Sequence, residues 1–300
     1  MRLVYSDKYF VDLGQHVFPT LKYRLLKEKL IAEGVVSDSD LLEPQTVSDD
    51  DILLVHKREY LEKLKKGSLS PMEIYVMELP FTRAIYESFS LAAGGTLLAS
   101  RVALEDGVCF NLAGGFHHAF PDHGEGFCIL NDVAIAVARI VADGKVSRVL
   151  IVDCDLHQGN GTASIFSGRR DVFTFSIHQE NNYPFVKPPS DLDVGLMDGT
   201  EGSEYNDYLG RTLPRIFDEF SPEFVMYLAG ADPYEGDQLG MLRLSKDDLE
   251  DRDRIVMTMA QERSVPLCGV LAGGYAWRVE DTVDIHYNTI VTAKEISGLS

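Results

Sequence analysis

The 300-residue sequence lacks long apolar segments. It contains no run of about 18 or more apolar residues, the length that indicates a membrane-spanning helix. Its first ten residues, MRLVYSDKYF, do not show the basic and then apolar layout of a signal peptide. We therefore expect a soluble, cytoplasmic protein with no membrane partner.

Cysteine is also scarce, and no C-x-x-C pair is present. Three of the four cysteines lie in or next to apolar, strand-like segments. This placement predicts reduced core residues and argues against disulfides or zinc thiolates. The four residues are Cys109, Cys128, Cys154 and Cys268.

Basic residues are outnumbered by acidic ones. Lys and Arg total 28 against 47 Asp and Glu, which gives a formal net charge of −19. Such a surface repels phosphate groups and argues against nucleic acid as a partner. It would attract a cationic substrate, although an acidic surface without a steering role is the simpler interpretation.

Apolar, strand-like segments alternate with helical ones along the chain. Strands are predicted at 108–113, 148–154, 172–177, 224–229 and 267–271. Helices are predicted to end before Gly34 and before Gly67, and at 83–105, 131–142, 161–167, 203–219, 246–262 and 280–295, with 184–202 as a loop. The alternation predicts an α/β fold in one domain over residues 1–300, with a mainly parallel open sheet and helices on both faces.

Potential metal ligands follow two of these strands. Asp155 and His157 come directly after the strand 148–154, and Asp232 follows the strand 224–229. Ligands in open α/β sheets bind beyond the carboxyl ends of the strands. For either aspartate alone, helix capping or a turn is an equally good explanation. Together, two carboxylates and one imidazole predict a catalytic zinc site with one coordination position left open.

A histidine pair follows a third strand end. His117 and His118 come after Gly114-Gly115, which lets the backbone turn so that both rings can face one cavity. A histidine can take a proton from water and return it to a leaving amine. Four other histidines are interpreted as core or loop residues without a catalytic role: His16, His56, His123 and His286.

Further polar residues could support this chemistry. Asp153 is expected to point away from Asp155, where it could accept a hydrogen bond from a histidine or help to hold a buried cation. Asn160 either orients a catalytic side chain or caps the following helix. Tyr275 follows Gly273-Gly274, and its hydroxyl either donates to an oxyanion or its ring packs as a lid.

Six segments, in this order, resemble the zinc-dependent histone deacetylase family, which includes bacterial deacetylases and acetylpolyamine amidohydrolases. They are GGFHHA (114–119), GFCILND (126–132), DCDLHQGNG (153–161), SIH (176–178), AGADP (229–233) and GGY (273–275). The form HQGNG, the segment EGDQLG (235–240) and the compact length are most similar to the class IV branch.

The resemblance implies the arginase/deacetylase fold and a role for each matching residue. The implied zinc ligands are Asp155, His157 and Asp232, and the implied catalytic residues are His117, His118 and Tyr275, with Asp153 supporting His117. The implied acyl tunnel is lined by Gly126, Phe127 and Tyr183. A structural potassium ion would lie among Asp153, Asp155, His157, Ser176 and Ile177.

The sequence departs from the family pattern at two places. Asn160 replaces the aspartate that supports the second histidine in other classes, so we expect the pKa of His118 to be lower than beside a carboxylate. The aspartate that grips the substrate backbone at the rim has no clear counterpart before Leu79-Pro80, where Glu78 stands.

These observations predict a zinc-dependent hydrolase that removes an acetyl or longer fatty acyl group from N-acyl-lysine or an acylated polyamine. The class IV resemblance favours longer acyl groups over acetyl. A binuclear manganese ureohydrolase would need more bridging acids than the sequence has, since Gly159 stands two residues beyond His157. A non-catalytic acyl-lysine binding or scaffold protein is the other alternative, and the intact ligand set argues against it.

Overall fold

Eight strands, all paired in parallel, form one sheet in the computed structural model, which describes residues 1–298. The order across the sheet is β2-β1-β3-β8-β7-β4-β5-β6. The strands are β1 (Leu3–Val4), β2 (Leu41–Leu42), β3 (Val108–Asn111), β4 (Val149–Asp153), β5 (Val172–Gln179), β6 (Leu192–Leu196), β7 (Phe224–Leu228) and β8 (Leu267–Val270).

Ten α-helices connect and cover the strands within residues 1–298. They are α1 (Leu21–Ala32), α2 (Asp49–Ile52), α3 (Arg58–Lys66), α4 (Pro71–Met77), α5 (Arg83–Asp106), α6 (Asp132–Ala142), α7 (Asn160–Phe166), α8 (Gly202–Phe220), α9 (Lys246–Glu262) and α10 (Val279–Ser297). Local signals explain several ends. Ser245 and Asp248 form a capping box at the start of α9, and Gly67 ends α3 with a φ of 64°.

Both faces of the sheet are buried. Along β4, Ile151 packs into a cluster with apolar residues of α5 and α6, whereas Leu150 and Val152 pack into a second cluster that contains residues of α8 and α9. This division follows from the two-residue period of a strand, which sends successive side chains to opposite faces. The predicted α/β class, the parallel sheet and the helices on both faces are confirmed.

The main error in the predicted elements lies at the sheet edge. β6 occupies Leu192–Leu196 within the segment that was expected to be a loop. Only Leu196 of this strand is buried, so the strand lacks the continuous apolar run of the central strands. The short elements β1, β2, α2 and α4 were also not expected. Residues 299–300 of the predicted domain lie outside the described part of the chain.

The sheet register aligns the carboxyl ends of the central strands. Asn111, Val270, Leu228, Asp153 and Ser176 form one row across β3, β8, β7, β4 and β5. The loops that leave these strands therefore start side by side. β3 and β4 are consecutive in the chain but are separated in the sheet by β8 and β7, a break in strand order of the kind at which α/β sheets bind ligands.

Candidate active site

The three predicted metal ligands meet at the ends of β4 and β7. One ligand atom from each of Asp155, His157 and Asp232 lies within 4.8 Å of the other two. All three residues are buried. Backbone amides hold the carboxylates, since Gly273 N donates to Asp155 Oδ2 at 2.7 Å and Leu156 N donates to Asp232 Oδ1 at 3.0 Å.

This ligand set fits a divalent cation. Asp232 Oδ2 is buried and accepts no hydrogen bond of normal geometry from the described residues, although His157 Nδ1 lies 3.4 Å away. A buried carboxylate oxygen without a donor is costly unless a cation satisfies it. Two carboxylates and one imidazole are also the ligand types of open zinc sites.

The three predicted ligands shift one another's pKa values. Burial lowers the pKa of His157, but the neighbouring carboxylates of Asp155 and Asp232 outweigh burial and raise it to about 10. Burial and the neighbouring Asp155 raise the pKa of Asp232. Two acids crowded beside one imidazole make a site at which added positive charge is stabilising.

Gly273 allows the loop after β8 to approach these ligands. A Cβ at this position would overlap the carboxylates of Asp232 and Asp155. The glycine also donates the backbone hydrogen bond to Asp155. The residue type at Gly273 is therefore required by the close approach of the backbone to the metal ligands.

The histidine pair lies beside the metal ligands. His117 Nδ1 donates to Asp153 Oδ2 at 2.7 Å, and His118 Nδ1 donates to Asn160 Oδ1 at 2.6 Å. The Nε2 atoms of the two rings are 3.1 Å apart. Because Asn160 offers its oxygen to Nδ1, the Nε2 of His118 carries a lone pair and accepts from His117.

Asp153 does not point away from Asp155, and that expectation is wrong. His117 Nδ1 contacts Asp153, and His117 Nε2 lies 3.7 Å from Asp155 Oδ1, so both carboxylates reach the same ring. Asp155 N also donates to Asp153 Oδ1 at 3.1 Å. Asp155 lies beyond the end of β4, so the orientation of its side chain follows from the turn closed by this backbone hydrogen bond and not from strand alternation.

The two histidines differ in charge. Burial lowers the pKa of His117, but Asp153 and Asp155 outweigh burial and raise it to about 9. The pKa of His118 is held well below its ordinary value by burial and by the neighbouring His117 and His157. His117 is thus suited to remain protonated, and His118 is suited to act as a base. Burial is the main cause of this low pKa, and the expectation that Asn160 leaves it lower than a carboxylate would stays a prediction.

Tyr275 is held in place through its backbone. Its amide donates to Asp237 Oδ2 at 2.7 Å, and its carbonyl accepts from Gln238 Nε2 at 2.7 Å. Burial and the nearby Asp232 and Asp155 raise the pKa of the phenol well above its ordinary value. The hydroxyl therefore stays protonated at neutral pH and can donate a hydrogen bond.

A narrow cavity of about 250 Å³ leads to these groups. At Gly126, where φ is 50°, a Cβ would lie 2.8 Å from His118 Cδ2 and 2.9 Å from Tyr183, so the wall has no room for a side chain there. The structure brings the three predicted tunnel residues together with His118 and Tyr275. The lining is Glu78, His118, Gly126, Phe127, His157, Asn182, Tyr183, Leu239 and Tyr275.

The four histidines that were assigned no catalytic role differ in burial and in contacts. His56 and His286 are buried, as expected of core residues. His16 packs against the cavity wall, with its ring 4.8 Å from that of Phe127. His123 is about one third exposed and contacts Glu125, with His123 Nε2 lying 3.3 Å from Glu125 Oε2.

Sequence reasoning missed Arg252, which lies behind the site on α9. Its guanidinium is fully buried and donates to Gly230 O at 2.5 Å and to Cys154 O at 3.4 Å. It also pairs with Asp253 at 2.7 Å. Arg252 therefore ties together the ends of β4 and β7, from which the metal ligands extend. No local signal in the sequence separates it from the exposed charges of the same helix.

Two of the residues that the resemblance implies for a potassium site are neighbours in the sheet. Asp153 and Ser176 are paired neighbours across β4 and β5, and Ser176 Oγ lies 2.9 Å from His178 Nδ1. The cation itself stays a prediction.

Comparisons with known proteins identify the family. The histone deacetylase domain family matches residues 16–290. An uncharacterized protein of Picosynechococcus sp. is 40% identical over 285 residues, which cover 95% of each protein. Histone deacetylase 2 of Arabidopsis thaliana is 32% identical over 287 residues, covering 91% of this chain and 74% of that protein.

A solved structure agrees with these relatives. The crystal structure of an HDAC homolog complexed with SAHA superimposes with a TM-score of 0.86 and 25% identity, covering 100% of this chain and 84% of that chain. The chain therefore belongs to the histone deacetylase family and has the arginase/deacetylase fold. Membership of this family supports a deacetylase activity of the hydrolase class. Within residues 1–298, no helix is long and apolar enough to cross a membrane.

Proposed function

We propose that the protein is a zinc-dependent deacylase, with one catalytic domain over residues 1–300, that acts on N-acyl-lysine or an acylated polyamine. The observation that carries the proposal is the burial of Asp155, His157 and Asp232 beside His118, at the inner end of a narrow cavity. The reaction consumes water and releases a carboxylate and a free amine.

Asp155, His157 and Asp232 would hold the zinc ion, and the potassium ion would lie near Asp153 and Ser176. When bound, zinc would polarise the carbonyl of the acyl group and lower the pKa of a water molecule. Two buried aspartates supply the negative charge that such an ion requires.

His118 is the general base in this proposal. Its Nε2 is unprotonated because Nδ1 donates to Asn160, and the attacking water would replace His117 as the partner of this nitrogen. It takes a proton from the attacking water and then returns it to the leaving amine. His117 remains protonated against Asp153, and its charge stabilises negative charge that develops on the substrate.

Tyr275 is the oxyanion donor in this proposal. Its phenol is protonated at neutral pH and borders the same cavity as His118 and His157. A donor that is already in position gains strength as the carbonyl oxygen becomes negative.

The cavity has no room to spare beside Gly126, so the part of the substrate that lies there must be slender. Phe127 and Tyr183 supply aromatic surfaces that suit the methylene chain of lysine or a polyamine, and Glu78 at the mouth suits a cationic carrier. The acyl group in this proposal is acetyl or a longer fatty acyl group, and the class IV resemblance favours the longer groups.

We also propose that the enzyme is cytoplasmic and class IV-like. All four cysteines are free and buried, as in proteins of reducing compartments. The class IV assignment rests on the form His157-Gln-Gly-Asn-Gly161.

A matched substrate screen tests the proposal. Acetyl, octanoyl and myristoyl groups would be placed on one lysine peptide and on one polyamine, and release of the free amine would be measured. We expect turnover that is lost on chelation and restored by zinc. Absence of turnover on every substrate by the zinc-loaded protein would favour a binding or scaffold role.

A further inference from the structure

Asn160 lies between the proposed base and a second acid. Its Oδ1 accepts from His118 Nδ1 at 2.6 Å, and its Nδ2 donates to Glu125 Oε1 at 2.7 Å. Tyr183 OH donates to the same carboxylate oxygen at 2.6 Å. A chain of hydrogen bonds therefore runs from His118 through a neutral amide to a charged group in the loop before Gly126.

Glu125 determines which way the amide of Asn160 faces. In the observed orientation, Oδ1 also accepts from Gly161 N at 3.0 Å. Rotating the amide by half a turn would bring its carbonyl against the Glu125 carboxylate and its NH2 group against the Gly161 amide. Both contacts would then be repulsive, since two acceptors and two donors would face each other.

The orientation of the amide in turn determines the tautomer of His118. With Oδ1 facing the ring, Nδ1 carries the proton and Nε2 keeps the lone pair that the base needs. With NH2 facing the ring, Nδ1 would have to accept and the proton would move to Nε2. The second arrangement blocks proton uptake at the nitrogen that faces His117.

Glu125 is ionised in its environment. Burial disfavours its charge, but hydrogen bonds from His123, Tyr183 and Asn160 outweigh burial, and its pKa lies below the ordinary value. Its side chain is 19% exposed. A partly buried carboxylate also strengthens the hydrogen bond that it accepts, which polarises the amide toward His118.

We propose that Glu125 is a positioning residue that acts through Asn160 to hold His118 in the tautomer with a free Nε2. Asp153 contacts His117 directly, whereas the carboxylate of Glu125 is linked to His118 through Asn160. The catalytic consequence rests on the proposed function, whereas the tautomer does not.

The tautomer is measured directly by NMR. The protein would be labelled with ¹⁵N-histidine, with and without zinc, and the His118 signals assigned by comparison with His118→Ala. We expect a protonated Nδ1 and an unprotonated Nε2 in the parent protein, and a mixed population in Glu125→Ala. A protonated Nε2 in the parent, or no change in Glu125→Ala, would overturn the proposal.

Exchanging the carboxylate of Glu125 with the amide of Asn160 tests whether the negative charge must be at position 125. Asn160→Asp alone would set two carboxylates against each other at the 2.7 Å contact, and Glu125→Gln alone removes the charge. We expect each single variant to lower kcat by roughly 10- to 100-fold, the size of effect seen when a hydrogen-bond partner that orients an active-site histidine is removed. The double variant Glu125→Gln/Asn160→Asp restores one charge and one donor, and should recover at least about tenfold over Asn160→Asp.

Two controls separate positioning from support of the cavity wall. Asp122→Asn removes a charge from the same loop at an exposed residue and should leave kcat unchanged. Tyr183→Phe deletes only the hydrogen bond from the Tyr183 hydroxyl to Glu125 and should mainly raise KM.

If Tyr183→Phe reproduces the kcat loss of Glu125→Gln and the double variant shows no recovery, Glu125 has only a structural role. A parent without turnover but with the expected tautomer would reject the proposed function and leave the positioning role standing.

Discussion

Replacing Tyr275 with phenylalanine isolates the contribution of one hydroxyl group. The ring packs against Phe18 and Phe127, with centroid separations of 6.2 and 5.8 Å, and the backbone is held by Asp237 and Gln238. The hydroxyl forms no hydrogen bond with another residue of the described chain. Its removal should therefore leave the ring in place and change the free energy of unfolding by no more than about 0.5 kcal/mol.

The effect on catalysis should be much larger. Removal of one oxyanion donor costs roughly 10²- to 10³-fold in kcat, or about 2.7–4 kcal/mol of transition-state stabilisation. We expect a loss of this size on an acetyl-lysine peptide, with KM nearly unchanged because the hydrogen bond strengthens in the transition state. Zinc content should equal that of the parent protein.

The assay would combine steady-state kinetics, metal analysis and thermal melting. Tyr208→Phe is a matched control, because Tyr208 lies on α8 and is 43% exposed. It should retain parental kcat. Near-parental turnover of Tyr275→Phe with unchanged melting would refute the reasoning and assign Tyr275 to packing alone.

Three further outcomes are expected. Metal analysis should find one divalent ion per chain and none in Asp232→Ala, whereas two equivalents of manganese in the parent would contradict a mononuclear site. His118 must be neutral to accept a proton, so activity is lost as pH falls through its pKa, and the acidic limb of kcat/KM should lie below pH 6.5, the ordinary histidine value. In Glu125→Gln/Asn160→Asp, a carboxylate contacts the ring and should move this limb to higher pH, so an unmoved limb would argue against His118 as the base. Arg252→Met should lower the free energy of unfolding by about 3–5 kcal/mol in urea titration, because it leaves a buried carboxylate unpaired, and a change below about 1 kcal/mol would show that the pair does little for stability.

Much of the fold and the metal site follows from local sequence. Continuous apolar runs predict the buried parallel strands, and the polar residues directly after them predict a site at one edge of the sheet. Asp155, His157 and Asp232 were predicted in this way, and the structure brings all three together. This inference works because every strand of a parallel sheet ends at the same edge.

Other features depend on contacts between distant residues. The local pattern of β6 is that of a half-exposed edge segment, and it forms a strand only because β5 supplies its backbone partners. Arg252 can reach both Gly230 and Cys154 because β7 and β4, the strands that these residues follow, are neighbours in the sheet.

The link from Glu125 to His118 is of the same kind. Asn160 and Glu125 are 35 positions apart, and neither residue has a local pattern that pairs it with the other. Strand and helix formation depends on neighbours along the chain, which the sequence displays directly. Hydrogen bonds between side chains that are far apart in the sequence depend on how the whole chain buries its apolar surface, so only the tertiary structure determined that Glu125 supports His118 through Asn160.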